Sequence, residues 1–139
     1  MRLNKKSKIP VLLSVLTVIA LLFTSCYLPA SGLSINDDEL TIIVFDVGQA
    51  DSIYIHTAEG ENILIDAANN SDGDYLVQKL DSLGVEKLDY LFLTHPHADH
   101  IGGADDIINA FDIDAVYMPK VEHETKTYLD VLNAVKAKG

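Results

Sequence analysis

Tryptophan is absent, cysteine occurs once, and only ten of the 139 residues are Lys or Arg. A single Cys, Cys26, excludes an intramolecular disulfide and any zinc finger built on paired cysteines. No apolar run reaches the roughly 20 residues that a spanning helix requires, which excludes a polytopic membrane protein. Low-complexity segments and internal repeats are also missing. Disorder throughout is excluded by an apolar fraction of 48% beside 22% charged residues. Basic residues are scarce where the folded part should be. From Cys26 onward six stand against 21 acids, a net charge of −15. A surface that acidic does not steer nucleic acid, so any contact with phosphate requires bound cations.

The other four basic residues, Arg2, Lys5, Lys6 and Lys8, open the chain without an acid among them. Behind them Val11 to Phe23 is apolar except for Ser14 and Thr17. A basic start and a short apolar run fit a signal peptide better than a spanning helix. The run ends in Leu22-Phe23-Thr24-Ser25-Cys26, small residues before a lone Cys. That ending resembles the lipobox of bacterial lipoproteins, in which the peptide is cut before the Cys and the Cys carries the lipid. An ordinary secretory signal and an uncleaved anchor are the alternatives, and all three place the remainder outside the cytoplasmic membrane. Residues 1–25 are thus expected to be a lipoprotein signal. Residues 26–39, with Pro29, Gly32 and Asn36-Asp37-Asp38-Glu39, are expected to form a polar tether.

From Leu40 the pattern is that of a folded domain. Leu40 to Val47 (LTIIVFDV) is a continuous β-branched apolar run, which predicts a buried strand. Asp51 to His56 alternates, Glu59-Gly60 signals a hairpin turn, and Asn62 to Asp66 predicts a third strand, so the first three strands read as an antiparallel meander. Leu76, Leu80 and Leu83 then recur at helical spacing until Gly84. Leu88 to Leu93 predicts a strand. Ala104, Ile107, Ile108 and Phe111 predict an amphipathic helix, and Asp114 to Met118 another strand. Tyr128, Val131, Leu132 and Val135 predict a last helix, where Lys136 and Lys138 suit the C-terminal end of the dipole. The order βββ-α-β-α-β-α defines an α/β chain with a mixed sheet and flanking helices.

The chemistry is concentrated in Thr94-His95-Pro96-His97-Ala98-Asp99-His100-Ile101-Gly102-Gly103, between a predicted strand and a predicted helix. Imidazole and carboxylate are ligands for zinc, and the mixture also suits manganese or iron. His95 and His97, two residues apart around a stiffening Pro96, can converge on one ion, and Asp99 and His100 can face a second beside it. Gly102-Gly103 permits close backbone packing at the entrance to the helix. His56 and His123 read as surface or structural residues.

His95-x-His97-x-Asp99-His100 resembles the HxHxDH signature of the metallo-β-lactamase superfamily. The resemblance implies that His95 and His97 bind one metal and that Asp99 and His100 bind the other, with Asp99 also the catalytic residue that orients an activated water. Val44-Phe45-Asp46-Val47-Gly48-Gln49-Ala50-Asp51-Ser52 resembles the opening motif of the metallo-hydrolase domain in ComEC-type competence proteins. Asn62-Ile63-Leu64-Ile65-Asp66-Ala67 resembles that branch's second motif, and the THPHADHIGG stretch its third. Ala50 and Ala68 stand where that branch usually has Gly. The resemblance implies that Asp46 and Asp66 hold the ligand His rings in place. Gln49 and Asp51 face either the substrate cleft or only a turn.

The same resemblance implies further ligands (a His, a bridging Asp and a last His) from the second half of an αββα sandwich. Residues 40–139 are therefore expected to form the N-terminal half of such a domain, with a sheet face that invites self-association. The expected function is a metal-dependent hydrolase, with two zinc ions in the complete domain, acting through a metal-activated water on phosphodiesters such as DNA or nucleotides. A β-lactam or thioester is the alternative substrate. The alternative class is a non-catalytic surface lipoprotein, a binding module or inactive fragment that keeps the fold. Metal affinity and activity of this chain alone are expected to be weak.

Overall fold

The computed structural model describes residues 35, 36 and 38–139. The segment read as a lipoprotein signal, Cys26 and most of the tether lie outside them. Among the described residues there are five strands and four helices: β1 (Thr41–Val44), β2 (Ile53–His56), β3 (Asn62–Ile65), α1 (Gly73–Ser82), β4 (Lys87–Phe92), α2 (Ala98–Ile101), α3 (Ala104–Ala110), β5 (Asp112–Tyr117) and α4 (Lys126–Lys138). Among the described residues no helix is long and apolar enough to cross a membrane.

The strands form one sheet in the order β1-β2-β3-β4-β5. β1, β2 and β3 pair antiparallel, as a meander requires. The β2–β3 turn closes through a hydrogen bond from Gly60 N to Thr57 O of 2.9 Å, with Gly60 at φ 89°. β3–β4 and β4–β5 pair parallel. A parallel pair needs a crossover, supplied first by α1 and then by α2 and α3. α1 buries Leu76 and Leu80. It ends where Gly84 turns to φ 80° and Val85 N bonds back to Leu80 O.

The helices cover one face of the sheet. Tyr54, Leu64 and Leu91 from the central strands are fully buried in a core with Leu76, Leu80, Ile101, Ile107, Ile108 and Val131. The opposite face carries two rows of side chains across all five strands. The register sets Ile42, Ile55, Ile63, Tyr90 and Ala115 in one row and Val44, Ile53, Ile65, Phe92 and Tyr117 in the next. All ten are apolar or aromatic, and none is buried.

The predicted buried strand over Leu40 to Val47 is corrected in two respects. Only Thr41–Val44 pairs, and Leu40, Ile42 and Val44 are 63%, 57% and 72% exposed. β1 is an edge strand with a neighbour on one side, and alternate residues point to the uncovered face. Phe45 then turns into the core, its N–H bonded to Ser52 O at 3.0 Å. A single helical turn, α2, is added to the predicted order, and it lies over the His-rich motif.

Candidate metal centre

The site forms where parallel strands β3 and β4 end side by side. β3 leaves the sheet through Asp66, whose φ of 59° is in the left-handed region, and Ala68 follows at φ 51°. Left-handed backbone at non-Gly residues costs about 1–3 kcal/mol each and persists only where the surroundings impose it. Here they do. Ala67 N bonds to His100 O at 2.7 Å, Gly102 N to Ala68 O at 2.7 Å, and Gly103 N to Ala67 O at 2.9 Å. The turn after β3 is thereby fastened to α2. Ala68 thus occupies a left-handed position, where only Gly carries no steric cost.

Gly102 permits this approach. A methyl at its Cα would stand 2.1 Å from Asn70 N and 2.2 Å from Asn69 C. A third segment joins from the β1–β2 loop: Asp51 N donates to Asp99 O at 3.2 Å, and Asp51 O accepts from Ala68 N at 3.0 Å. The three stretches singled out in the sequence therefore meet at α2.

Asp66 is buried and organises the metal loop. Its Oδ1 accepts from Thr94 N at 2.8 Å and its Oδ2 from Thr94 Oγ1 at 2.7 Å. The same Oδ2 lies 2.9 Å from His100 Nδ1. A carboxylate only accepts, so Nδ1 carries the proton and the Nε2 lone pair of His100 is left for another partner. Nε2 lies 3.7 Å from Asp99 Oδ2. His95, Asp99 and His100 each offer a donor atom, and these lie within 4.8 Å of one another. The His95 and His100 rings are 3.7 Å apart between centroids, and Thr94 Oγ1 is 3.1 Å from His95 Nδ1.

This donor set fits a divalent metal. Two imidazoles and a carboxylate suit zinc, manganese or iron. A carboxylate behind a ligand histidine is the arrangement that fixes its tautomer and ring orientation. His95, Asp99 and His100 would hold the ion, with Asp66 behind His100.

The other sequence candidates take different places. His97 is exposed and caps the start of α2, with its ring edge-on to His95 at 4.8 Å. The structure thus groups His95 with Asp99 and His100, and sets His97 at their flank. Asp46 is exposed and, among the described residues, makes no hydrogen bond or ion pair, whereas Asp66 holds the loop. Two residues not chosen as site residues lie near. Asp51 Oδ2 is 3.7 Å from His100 Nδ1, and the His123 ring is 6.3 Å from that of His97. The sequence placed the first at either the substrate cleft or only a turn. No spacing in the sequence pointed to the second, which reaches the site through the β5–α4 connection. His56 is buried at the other end of the sheet, with Nδ1 2.8 Å from Asn62 Oδ1. A cavity of about 470 Å³ there, lined by Tyr54, His56, Asn62 and Leu83, includes none of the metal donors.

Residues 45–139 match the model of the metallo-beta-lactamase superfamily, and the chain belongs to that superfamily. It is also similar to an octanoyltransferase of Porphyromonas gingivalis, 43% identical over 56 residues. That stretch is 40% of this chain and 10% of the relative, so the match spans about a tenth of the relative's length. Superfamily membership gives the chain a metal-dependent hydrolase fold, and His95, Asp99 and His100 are the group in it that could hold a divalent metal.

Proposed function

We propose that this chain carries the metal-binding half of a ComEC-type hydrolase that cleaves phosphodiesters, in DNA or nucleotides, outside the cytoplasmic membrane. The observation that carries the reading is the His95–Asp99–His100 cluster with Asp66 behind His100. The ComEC-type assignment is supported by the convergence of its three motifs at α2, through Asp51 with Asp99 and through Asp66 and Ala67 with His100. A bound divalent metal, zinc in the first instance, supplies Lewis acidity and an activated water. The chain's own groups bind and orient. Asp66 fixes the His100 ring, and Asp99 presents its exposed carboxylate beside His100 Nε2. An anionic phosphodiester meets a strongly acidic chain, so a metal held by His95, Asp99 and His100 would provide the local positive charge that the surface lacks.

Three donors fall short of a two-metal site, so the complete centre draws on groups beyond this cluster. We read the chain as one sheet with its helices from an αββα sandwich, the second such layer pair packing on the open sheet face. Lipidation of Cys26 would anchor it, two acyl chains being enough for stable attachment. The second reading, a non-catalytic binding module, is favoured by the small donor set and disfavoured by the buttressing of His100, which a module without metal does not need.

Zinc and manganese content of the purified chain, compared with His95→Ala and His100→Ala, tests the metal. About one ion per chain, lost in both variants, supports it, and a folded metal-free protein after zinc loading overturns it. Hydrolysis of bis(p-nitrophenyl) phosphate against a chromogenic cephalosporin then tests the substrate. Turnover of the cephalosporin alone would refute the phosphodiester reading.

A further inference from the structure

We infer that His123 binds the substrate, its ring Nε2–H donating to a non-bridging oxygen of a phosphodiester at the metal centre. The inference rests on the hydrolase reading above and adds to it a residue outside the His-rich motif. In open sheets of parallel strands, ligands sit beyond the carboxyl ends of those strands. β4 ends in the metal loop, and β5, its parallel neighbour, ends in the connection that carries His123. The His97 ring is a neighbour of both, 4.8 Å from that of His95 and 6.3 Å from that of His123 between centroids.

His123 is held there by a chain of bonds. Val121 N donates to Pro119 O at 2.8 Å, and the buried Tyr128 donates its hydroxyl to Val121 O at 2.7 Å. The Tyr128 ring also stands edge-on to that of His123 at 6.2 Å. Thr127 Oγ1 donates to Asn70 Oδ1 at 3.1 Å, which ties the start of α4 to the turn after β3. That turn is itself fastened to α2. A donor fixed in this way loses little freedom when a ligand arrives.

Two threonines set two histidines in opposite states. Thr94 gives its hydroxyl hydrogen to Asp66 Oδ2 at 2.7 Å, so its oxygen, 3.1 Å from His95 Nδ1, can only accept. His95 therefore carries its proton on Nδ1 and keeps the Nε2 lone pair, as a metal ligand must. Thr125 differs. Its oxygen accepts from Tyr128 N at 3.3 Å, and its hydrogen remains for the 3.1 Å contact with His123 Nδ1. His123 Nδ1 then accepts, and the proton of the neutral ring is on Nε2. In that state the ring offers a donor to an anion and no lone pair to a metal.

An acidic chain that handles an anion needs such a donor. Thr94 N and His100 Nδ1 both donate to Asp66, and Lys126, at the end of the same connection, pairs with Asp130. A phosphodiester has two non-bridging oxygens. One can meet the ion while the other takes an N–H at the flank, and hydrogen bonds to a charged oxygen are the stronger kind.

The test uses the full chain in non-ionic detergent, isotope-labelled at histidine, of which it has five. The signals lost in His123→Gln assign the ring. In a long-range proton–nitrogen spectrum without metal, neutral His123 should be protonated on Nε2 and neutral His95 on Nδ1. A His123 ring protonated on Nδ1 overturns the inference, and this readout needs no folded variant beyond the assignment. Dimethyl phosphate, a diester that resists cleavage, is then titrated into the zinc-loaded chain. It should shift the His123 Nε2 signal. His123→Ala should bind it about tenfold more weakly, the scale of one hydrogen bond to a charged group, with zinc content unchanged. His123→Gln, whose amide N–H stands in for Nε2–H, should recover most of the affinity. Undiminished diester binding by His123→Ala overturns the inference and leaves the metal reading standing. Loss of zinc from His123→Ala also overturns it, since His123 would then be a ligand to the ion. A wild-type chain that takes up no zinc and binds no diester overturns the metal reading and this inference together.

Discussion

Asp66 Oδ2 accepts the Nδ1 proton of His100 across 2.9 Å, joining residues 34 apart in the chain. The same carboxylate takes both the amide and the hydroxyl of Thr94. One buried side chain therefore sets the exit of β4, the tautomer of His100 and the direction of its Nε2. The parallel pairing of β3 with β4 is what brings the two strand ends close enough for this.

Replacement of Asp66 should separate metal binding from folding. In Asp66→Asn the amide oxygen still accepts from Thr94 N, and Asn tolerates the left-handed backbone. The His100 Nδ1 proton loses its carboxylate, so metal affinity should fall 10–100-fold, the range for such supporting groups. Asp66→Ala loses all three acceptor contacts and keeps the φ of 59° without a short polar side chain to ease it. It should cost about 1–3 kcal/mol more in stability than Asp66→Asn. Competition titration with a zinc indicator reads the first effect, and urea unfolding the second.

Gly102 gives a sharper structural expectation. A methyl there meets the Asn69–Asn70 backbone at 2.1–2.2 Å, and backbone cannot swing aside as a side chain can. Gly102→Ala should destabilise by about 2–3 kcal/mol. For a domain of this size that lowers the thermal midpoint by on the order of 10 °C. Gly48→Ala provides the comparison. Its φ of 66° makes Ala strained, but nothing lies within 4 Å of the added carbon. It should cost only about 1–2 kcal/mol. Equal losses at the two sites in thermal unfolding would contradict the close packing of α2 on the β3 exit.

Thr125 caps α4, its hydroxyl accepting from Tyr128 N at 3.3 Å and lying 3.1 Å from His123 Nδ1. Thr125→Ala should cost about 1 kcal/mol, the usual value of an N-cap. It should also release the His123 ring from its place beside His97, which the His123 resonances in a two-dimensional proton–nitrogen spectrum would report.

The alternation of Asp51 to His56, the helical spacing of Leu76, Leu80, Ile107 and Ile108, and the breaks at Gly60 and Gly84 carried the element order. Each expresses local physics, a period of two or near 3.6 and a left-handed glycine. The cluster from His95 to His100 was legible for the same reason, since its donors lie within one short stretch. The environment of β1 was not. LTIIVFDV reads as buried because its composition is the same whether a second layer covers it or not, and composition does not tell an edge from a centre. The approach of His123 to the site was also hidden, because it depends on where the β5–α4 connection crosses the strand ends, whereas Asp51 was read as facing either the cleft or only a turn. Asp46 and Asp66 look alike as strand-end acids. Only the parallel pairing with β4 gives Asp66 its partners.

Tyr54 provides a pH test of the other end of the sheet. Its ring is fully buried, its hydroxyl donates to Asn62 Oδ1 at 2.6 Å, and Asp89 lies nearby. Burial first, and the Asp89 charge second, push the phenol from 10.0 up to about 12. An acid held above its unfolded value favours the folded state while it stays protonated. Its contribution is therefore complete below pH 10 and is lost as pH rises toward 12. Lysines titrate in the same window, so the informative quantity is the difference between the wild type and Tyr54→Phe. The phenylalanine variant cannot ionise there, and Asn62 Oδ1 keeps its contact with His56 Nδ1 at 2.8 Å. Wild type should lose more stability than the variant between pH 10 and 12 in urea titrations at fixed ionic strength, and the two should run parallel below pH 9. Curves that stay parallel through pH 12 would mean that the phenol meets water in the folded state.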